Sequence, residues 1–112
     1  MRLPTEYAEA VLDIVERIPP GKVMTYGMIA ELVREQLGTG SARTVGTVMS
    51  RYGGGVPWHR VVASNGRLPP GHEAEAHARL LSESVPFRGD TGHVAINRVR
   101  WWPEGEGQPV DD

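Results

Sequence analysis

The segment whose side chains could do the most chemistry is Val56–Val62, which reads Val-Pro-Trp-His-Arg-Val-Val. The imidazole of His59 could serve as a general base, and the indole of Trp58 offers a flat surface on which a nucleobase can stack. The 112-residue sequence contains no cysteine, which excludes thiolate nucleophiles, disulfides and thiolate zinc sites. The chemistry that remains is recognition by an aromatic wall or proton transfer by His59.

A second group of titratable residues, His72, Glu73 and His77, has the composition of a zinc motif but not its spacing. The order is His-Glu-x-x-x-His, whereas the zincin motif is His-Glu-x-x-His. On a helix, five residues turn the second histidine by about 140° from the first, so the two cannot bind one ion together. We therefore predict no metal site and no cofactor, and we expect both histidines on a solvent-exposed helix surface.

Charge is unevenly distributed along the chain. The formal net charge is −2, but the 14 acidic residues leave a gap between Glu35 and Glu73. The gap has a formal charge of +4 because it contains four arginines, Arg43, Arg51, Arg60 and Arg67. Contacts with phosphate supply much of the affinity of proteins for DNA, so this acid-free segment is predicted to face a phosphate backbone.

Apolar spacing predicts three helices in the first half of the chain. The first covers Thr5–Ile18, where apolar residues recur every three or four positions. Thr25 is a suitable N-cap for the second helix, and Ser41 for a third helix over residues 42–51. The short turn Gly38-Thr39-Gly40 joins these last two helices, which is typical of a helix-turn-helix motif.

The second half of the chain predicts a small β wing and a further helix. Asn65-Gly66 is a preferred central pair of a type I′ turn, so it indicates a hairpin that begins with Arg60-Val61-Val62-Ala63. A helix is predicted over His72–Ser84, followed by apolar alternation within Gly92–Trp102. The expected fold is mainly α with a small β wing, a winged helix-turn-helix domain over residues 1–103. Residues 104–112 are rich in Gly, Pro and acidic residues and are predicted to form a flexible tail.

The apolar runs of the sequence are short, and its first residues lack the apolar core of a signal peptide. We therefore expect a soluble cytoplasmic protein that does not interact with membranes.

Three short motifs are similar to those of the O6-alkylguanine-DNA alkyltransferases. Residues 57–61 resemble Pro-Cys-His-Arg-Val with Trp58 in place of the nucleophilic cysteine, residues 42–46 match Ala-Arg-x-Val-Gly, and residues 21–26 match Gly-x-Val-x-Thr/Ser-Tyr. An indole offers no lone pair comparable to that of a thiolate, so such a site could hold an alkylated guanine but not repair it. The chain is identified as a member of the alkyltransferase-like proteins, and the resemblance extends from about Tyr7 to Trp102. It implies the fold of the alkyltransferase C-terminal domain.

The resemblance also implies roles for individual residues. Arg43 would enter the base stack in place of the extruded guanine, and Tyr26 would crowd the 3′ phosphate and help to rotate the nucleotide. Trp58 would form one wall of the pocket for the base. The remaining residues implied at the DNA or the lesion belong to the third helix and to the segment after the motif: Ser41, Ala42, Gly46, Val61, Val62, Ala63, Ser64 and Arg67.

Four residues are implied to support the pocket: Pro57, His59, Arg60 and Glu83. In the enzymes a glutamate holds the histidine, which activates the thiolate through water. Because no thiol is present here, we interpret the pair of His59 and Glu83 as structural, and Arg60 as a clamp on backbone carbonyls. Some relatives carry a lesion-sensing arginine after the wing, and Arg67 is the nearest substitute for it.

Together these features predict a monomeric DNA damage sensor. It would bind double-stranded DNA containing O6-alkylguanine through the minor groove, flip the base without removing the alkyl group, and flag the lesion for nucleotide excision repair proteins of the UvrA type, as the resemblance implies. Two alternatives remain open: a winged-helix transcription regulator without lesion specificity, and a hydrolase that uses His59 and Glu83.

Overall fold

A computed structural model describes residues 5–103 of the chain. Its helices and strands are, in chain order, α1 Glu6–Glu16, β1 Met24–Thr25, α2 Tyr26–Leu37, α3 Ala42–Tyr52, β2 Val61–Val62, α4 Glu73–Ser82 and α5 Ile96–Val99. Two short 3₁₀ turns, Gly53–Gly55 and Trp58–Arg60, connect α3 to β2. The prediction of a mainly helical domain with a small β component is confirmed.

Helices α2 and α3 begin at the caps that the sequence predicts. The Thr25 hydroxyl accepts a hydrogen bond from the Met28 amide at 3.0 Å, and the Ser41 hydroxyl accepts one from the Thr44 amide at 3.3 Å. Such caps satisfy amides that have no partner inside the helix. The apolar stripes of the first three helices meet in one core, whose fully buried members include Val11, Ile14, Val15, Ile29, Val33 and Val45.

The turn between α2 and α3 is bonded to α2 and packs against α1. The guanidinium of Arg34 donates to the Gly40 carbonyl from Nε at 3.3 Å and from Nη2 at 3.0 Å. Gly40 has a φ of 123° and lies so close to the Tyr7 ring that a side chain at this position would clash with it. The turn therefore requires glycine here, and its anchoring fixes where α3 starts.

A two-stranded parallel sheet separates this core from a second one. Met24 of β1 pairs with Val61 of β2, and Thr25 pairs with Val62. Because side chains alternate across a strand, Val61 packs in the first core and Val62 in the second. The second core also contains Leu80 of α4.

The predicted type I′ hairpin at Asn65-Gly66 is wrong in its turn type and in its strand pairing. The Gly66 amide donates to the Ala63 carbonyl at 2.8 Å, and the Ala63 amide donates to the Arg67 carbonyl at 2.9 Å. These bonds close a three-residue loop in which Gly66, with a φ of 90°, takes the left-handed conformation instead of Asn65. The reason lies elsewhere in the chain, because the Gly66 carbonyl accepts from the Val94 amide at 2.9 Å and a side chain on Gly66 would collide with that backbone.

Three smaller features differ from what the local sequence suggests. The triple glycine after α3, a composition typical of flexible connectors, forms a 3₁₀ turn in which Gly53 is buried against Met49. Helix α4 begins one residue later and ends two residues earlier than predicted, and its Leu81 side chain is 53% exposed although it is apolar. The apolar alternation near the end of the described chain includes one helical turn, Ile96–Val99.

The predicted tail, residues 104–112, lies outside the described residues. Among the helices of residues 5–103, none combines the length and the apolar character needed to cross a membrane.

Candidate nucleic-acid interface

The first turn of α3 presents small side chains around one long cation. Ser41, Ala42 and Arg43 are all exposed, and Gly46 faces open space. Within residues 5–103 the Arg43 guanidinium forms neither a hydrogen bond nor a salt bridge, whereas its backbone carbonyl accepts from the Thr47 hydroxyl at 3.2 Å. This surface can approach a nucleic-acid groove closely, with the Arg43 side chain available to enter it.

Tyr26 is the first residue of α2 and is half-buried against the first core. Burial raises the pKa of its hydroxyl above the usual value. A phenol is protonated at neutral pH even without this shift, so the hydroxyl can donate a hydrogen bond to a phosphate oxygen.

Trp58 stands at the start of the second 3₁₀ turn, with its indole half-buried against aromatic and charged neighbours. The rings of His59 and His72 meet it edge-on, at centroid distances of 6.0 Å and 5.6 Å. The guanidinium carbon of Arg79 lies over the indole, 5.4 Å from the ring centroid. The indole is thus held between its own turn and one side of α4.

Beneath Trp58, Glu83 is the centre of a hydrogen-bond network. His59 Nε2 lies 2.9 Å from Glu83 Oε2, and Arg60 Nη2 donates to the same oxygen at 2.7 Å. Arg60 Nη1 also donates to the Ile18 carbonyl at 2.9 Å, and the Gly21 amide donates to Glu83 Oε1 at 3.0 Å. The network ties the Trp58 segment to the end of α4 and to the loop after α1. Within the segment, the Pro57 carbonyl accepts a hydrogen bond from the Arg60 amide at 3.0 Å.

The carboxyl group of Glu83 is held ionised by these partners. Burial alone would raise its pKa, but hydrogen bonds from Arg60, His59 and the Gly21 amide, together with the charge of Arg60, lower the pKa to about 2. A carboxylate only accepts hydrogen bonds, so His59 must donate from Nε2. Its other ring nitrogen, Nδ1, is buried and has no partner among the described residues. A substrate proton cannot reach this nitrogen in the present conformation, which disfavours the hydrolase alternative.

The segment after Trp58 is expected to read the base through its backbone groups, and that role stays a prediction. The side chains of Val61 and Val62 are fully buried because β2 lies between the two cores, so they cannot touch a base. Ala63 is half-buried and Ser64 is exposed. These two residues are the members of the segment whose side chains a ligand could reach.

Arg67 does not join Trp58. It lines a separate cavity of about 370 Å³ together with Glu73 and His77 of α4 and the loop Thr91–His93. Glu73 and His77 are one turn apart on one flank of the buried face of α4, whereas His72 and Arg79, the Trp58 contacts, lie on the other flank. The suggestion that Arg67 stands in for a lesion-sensing arginine stays a prediction, and the structure gives Arg67 a cavity whose lining does not include Trp58.

His72 and Arg79 are the residues of this site that the sequence analysis missed. Their spacing of seven residues places them two turns apart on one side of a helix, which is a detectable signal. His72, the residue before α4, is exposed as expected but also contacts Trp58, whereas His77 is half-buried against Phe87, with ring centroids 4.5 Å apart. Within residues 5–103 no group of three His, Cys, Asp or Glu side chains could hold a metal ion.

Burial also changes how the arginines of the acid-free segment can be used. The Arg60 side chain is only 15% exposed and is paired with Glu83, so its charge is not available to a phosphate. Arg43, Arg51 and Arg67 are exposed. The cationic surface is therefore smaller than the formal charge of the segment suggests.

A helix-turn-helix whose second helix begins with an exposed arginine is the arrangement of a DNA-binding domain. The family model for the DNA-binding domain of 6-O-methylguanine DNA methyltransferase matches residues 6–85, and this chain belongs to that family.

Two curated relatives illustrate the relationship. Alkyltransferase-like protein 1 of Schizosaccharomyces pombe is 46% identical over 108 residues, covering 88% of this chain and 96% of the relative. The DNA base-flipping protein of Escherichia coli K12 is 37% identical over 100 residues, covering 85% of this chain and 74% of the relative. The predicted place among the alkyltransferase-like proteins is confirmed.

Solved structures agree with this assignment. The crystal structure of S. pombe Atl1 in complex with damaged DNA containing O6-carboxymethylguanine matches with a TM-score of 0.71 and 32% identity, over 92% of this chain and all of that one. A second S. pombe structure, an ATL in complex with DNA, matches with the same TM-score and 34% identity, over the same shares of the two chains. The protein therefore shares its fold with relatives whose structures were solved with DNA bound, as the sequence predicted.

Proposed function

We propose that this protein is a non-enzymatic sensor of O6-alkylguanine in double-stranded DNA. It binds through the minor groove, rotates the alkylated base out of the stack and holds it beside Trp58. One observation carries the proposal: in a chain of this family without any cysteine, Trp58 occupies the motif position of the alkyl-accepting cysteine. The names of the relatives, a base-flipping protein and a protein crystallised with damaged DNA, support the same function.

Two residues suit the flipping step. Extrusion of a base costs a few kcal/mol, so the gap that it leaves must be filled. Arg43 is exposed, unpaired among the described residues and surrounded by small side chains, which suits a side chain that enters the stack. Tyr26 keeps its hydroxyl proton at the start of the preceding helix, which suits a contact with the 3′ phosphate.

Retention of the alkyl group follows from what the site lacks. The sequence offers no thiol, and an indole cannot accept an alkyl group as a thiolate does. The neighbouring His59 has one ring nitrogen bonded to Glu83 and the other buried, so we assign the pair to support of the Trp58 segment. Aromatic stacking of about 1–3 kcal/mol per base would favour the extruded state.

A sensor that leaves the lesion in place must act through a partner. We propose that the monomeric protein, acting in the cytoplasm on the nucleoid, presents the lesion to nucleotide excision repair proteins of the UvrA type. The support for this step is the family resemblance.

Binding to matched duplexes tests the lesion step. Wild-type protein should bind a duplex with one O6-methylguanine about tenfold more tightly than the unmodified duplex, as expected from one stacking contact. Trp58→Ala should lose most of this preference, whereas Trp58→Phe, which keeps a flat ring, should retain part of it. Equal affinity of the wild type for both duplexes would sink the proposal. A transcription regulator would instead discriminate between base sequences and ignore the lesion.

A transfer assay tests the non-enzymatic step separately. Incubation with duplex DNA labelled in the O6-methyl group should leave the label on the DNA. Labelled protein or released methanol would show that the chain is an enzyme.

A further inference from the structure

The positively charged side chain of Arg79 lies against the Trp58 indole. The guanidinium carbon of Arg79 lies over the indole at 5.4 Å from its centroid, within the range of a cation–π contact. Arg79 is held there from its own helix, because its Nη2 donates to Glu75 Oε2 at 2.6 Å across one turn of α4. A substituent that reaches the side of the indole covered by Arg79 therefore also approaches its guanidinium.

Most of the donors of this guanidinium are unused. A guanidinium has five N–H donors, and within residues 5–103 Arg79 uses only Nη2 as a hydrogen-bond donor. Its Nε and Nη1 are free to bind another acceptor. The arrangement of these donors matches the geometry of a carboxylate, which a guanidinium can bind in a bidentate manner.

The carboxylates nearby in the chain already have partners. Glu83 is bonded to Arg60 and His59, and Glu75 is bonded to Arg79 itself. His72 adds a second nitrogen-bearing side chain at the indole edge, 5.6 Å between ring centroids. A negatively charged group beside Trp58 would thus meet the guanidinium that lies over the ring.

We propose that Arg79 makes this site selective for O6 adducts that carry a negative charge. The inference rests on the proposed function, because it assumes that the extruded guanine lies against Trp58. Arg79 is a specificity-determining residue in this scheme: the indole stacks on the base, and the free donors of Arg79 bind an acidic substituent on O6.

The expected preference is modest because the contact is near solvent. The Arg79 side chain is 48% exposed, so salt and water screen its charge. Exposed ion pairs change equilibria by up to about fivefold, and we expect a ratio of about threefold between an acidic and a neutral adduct. The ratio should fall as salt concentration rises.

Competition binding measures this ratio directly. Duplexes that differ only in one residue, O6-carboxymethylguanine or O6-propylguanine, are compared at 50 and 300 mM salt. Wild-type protein should favour the carboxymethyl duplex, Arg79→Gln should bind both equally, and Arg79→Lys should retain the direction of the preference. Glu75→Gln should increase the preference because it removes the competing carboxylate. Arg98→Gln is the matched control, since Arg98 is an exposed arginine of α5 without a side-chain hydrogen bond or salt bridge among residues 5–103.

The outcomes separate this inference from the proposed function. A variant that disturbs the position of Trp58 would weaken binding of both adducts. Loss of the charge contact alone changes the ratio of the two affinities and leaves the affinity for the propyl duplex within about twofold of the wild-type value. If the wild type prefers both adducts over guanine but does not distinguish between them, or if Arg79→Gln keeps the ratio, the selectivity inference is wrong and the sensor proposal stands. If the wild type binds both adducts no better than guanine, both proposals fail.

Discussion

Arg43 and Arg60 belong to the same acid-free segment but occupy opposite environments. Arg43 is exposed on the first turn of α3 and has no side-chain partner among residues 5–103. Arg60 is 15% exposed and donates to Glu83 and to the Ile18 carbonyl. Formal charge along a sequence therefore does not measure the charge that a surface offers. The exposed arginine can serve recognition, and the buried one serves the loop that carries Trp58.

The buried Arg60 network should contribute more to stability than the exposed Arg43. Glu83→Gln removes the carboxylate that compensates Arg60 and His59, whose side chains are largely buried. A pKa lowered from 4.5 to about 2 corresponds to about 3 kcal/mol of stabilisation at neutral pH. We expect the free energy of unfolding to fall by up to this amount in urea titrations.

The control is the other carboxylate–arginine pair. Glu75→Gln removes a salt bridge between side chains that are about half exposed, and should change the free energy of unfolding by less than about 0.5 kcal/mol. Equal losses in the two variants would mean that the Glu83 network is no stronger than a surface pair.

Acid should reproduce the effect of the Glu83 substitution. Because the pKa of Glu83 is lowered in the folded state, its contribution is fully present above the unfolded-state pKa and is lost as pH falls toward about 2. The difference in unfolding free energy between the wild type and Glu83→Gln should thus be constant from pH 7 to about 5 and shrink from pH 5 to 2. A difference that did not change with pH would contradict the assigned pKa.

The exposed side should affect binding and leave stability unchanged. Arg43→Ala removes a side chain without partners in the described residues, so its unfolding free energy should stay within about 0.5 kcal/mol of the wild type. Affinity for an O6-methylguanine duplex should fall about tenfold, the loss expected for one strong charged contact. The affinity for an unmodified duplex should fall less, because no base is extruded from it. If Arg43→Ala lowered the affinity for both duplexes equally, Arg43 would contact only a phosphate and would not enter the base stack.

Local signals explain why the helical half of the fold could be predicted. The caps Thr25 and Ser41 and the apolar stripes act within one or two turns, so the sequence shows them directly. The loop at Gly66 could not be predicted in the same way, because its conformation depends on the backbone of Val94 far along the chain. An Asn-Gly pair located the turn, and a distant contact determined its type.

In the candidate site, too, local signals could be predicted and distant contacts could not. Motif similarity led to Trp58, His59 and Glu83, and the last two lie in hydrogen-bond contact. Arg79 was missed because its role depends on how α4 packs against the Trp58 turn, which no motif records. The burial of both valines of β2 was also missed, since a two-residue strand between two cores leaves no periodic pattern to detect.

Arg51, the exposed arginine in the last turn of α3, provides the smallest and most specific test of the comparison. It lies at the opposite end of the helix from Arg43, so a contact with DNA from this position would be made to a phosphate. Phosphate contacts carry no information about the base, and each one contributes about 0.9 to the slope of log affinity against log salt. Arg51→Gln should therefore weaken binding to alkylated and unmodified duplexes by the same small factor, about twofold to threefold, and lower the salt slope by about one. Salt titrations on both duplexes measure the two quantities together. If Arg51→Gln instead changed the preference for the lesion, recognition would involve both ends of α3, and the contrast between one exposed recognition arginine and one buried structural arginine would no longer describe this surface.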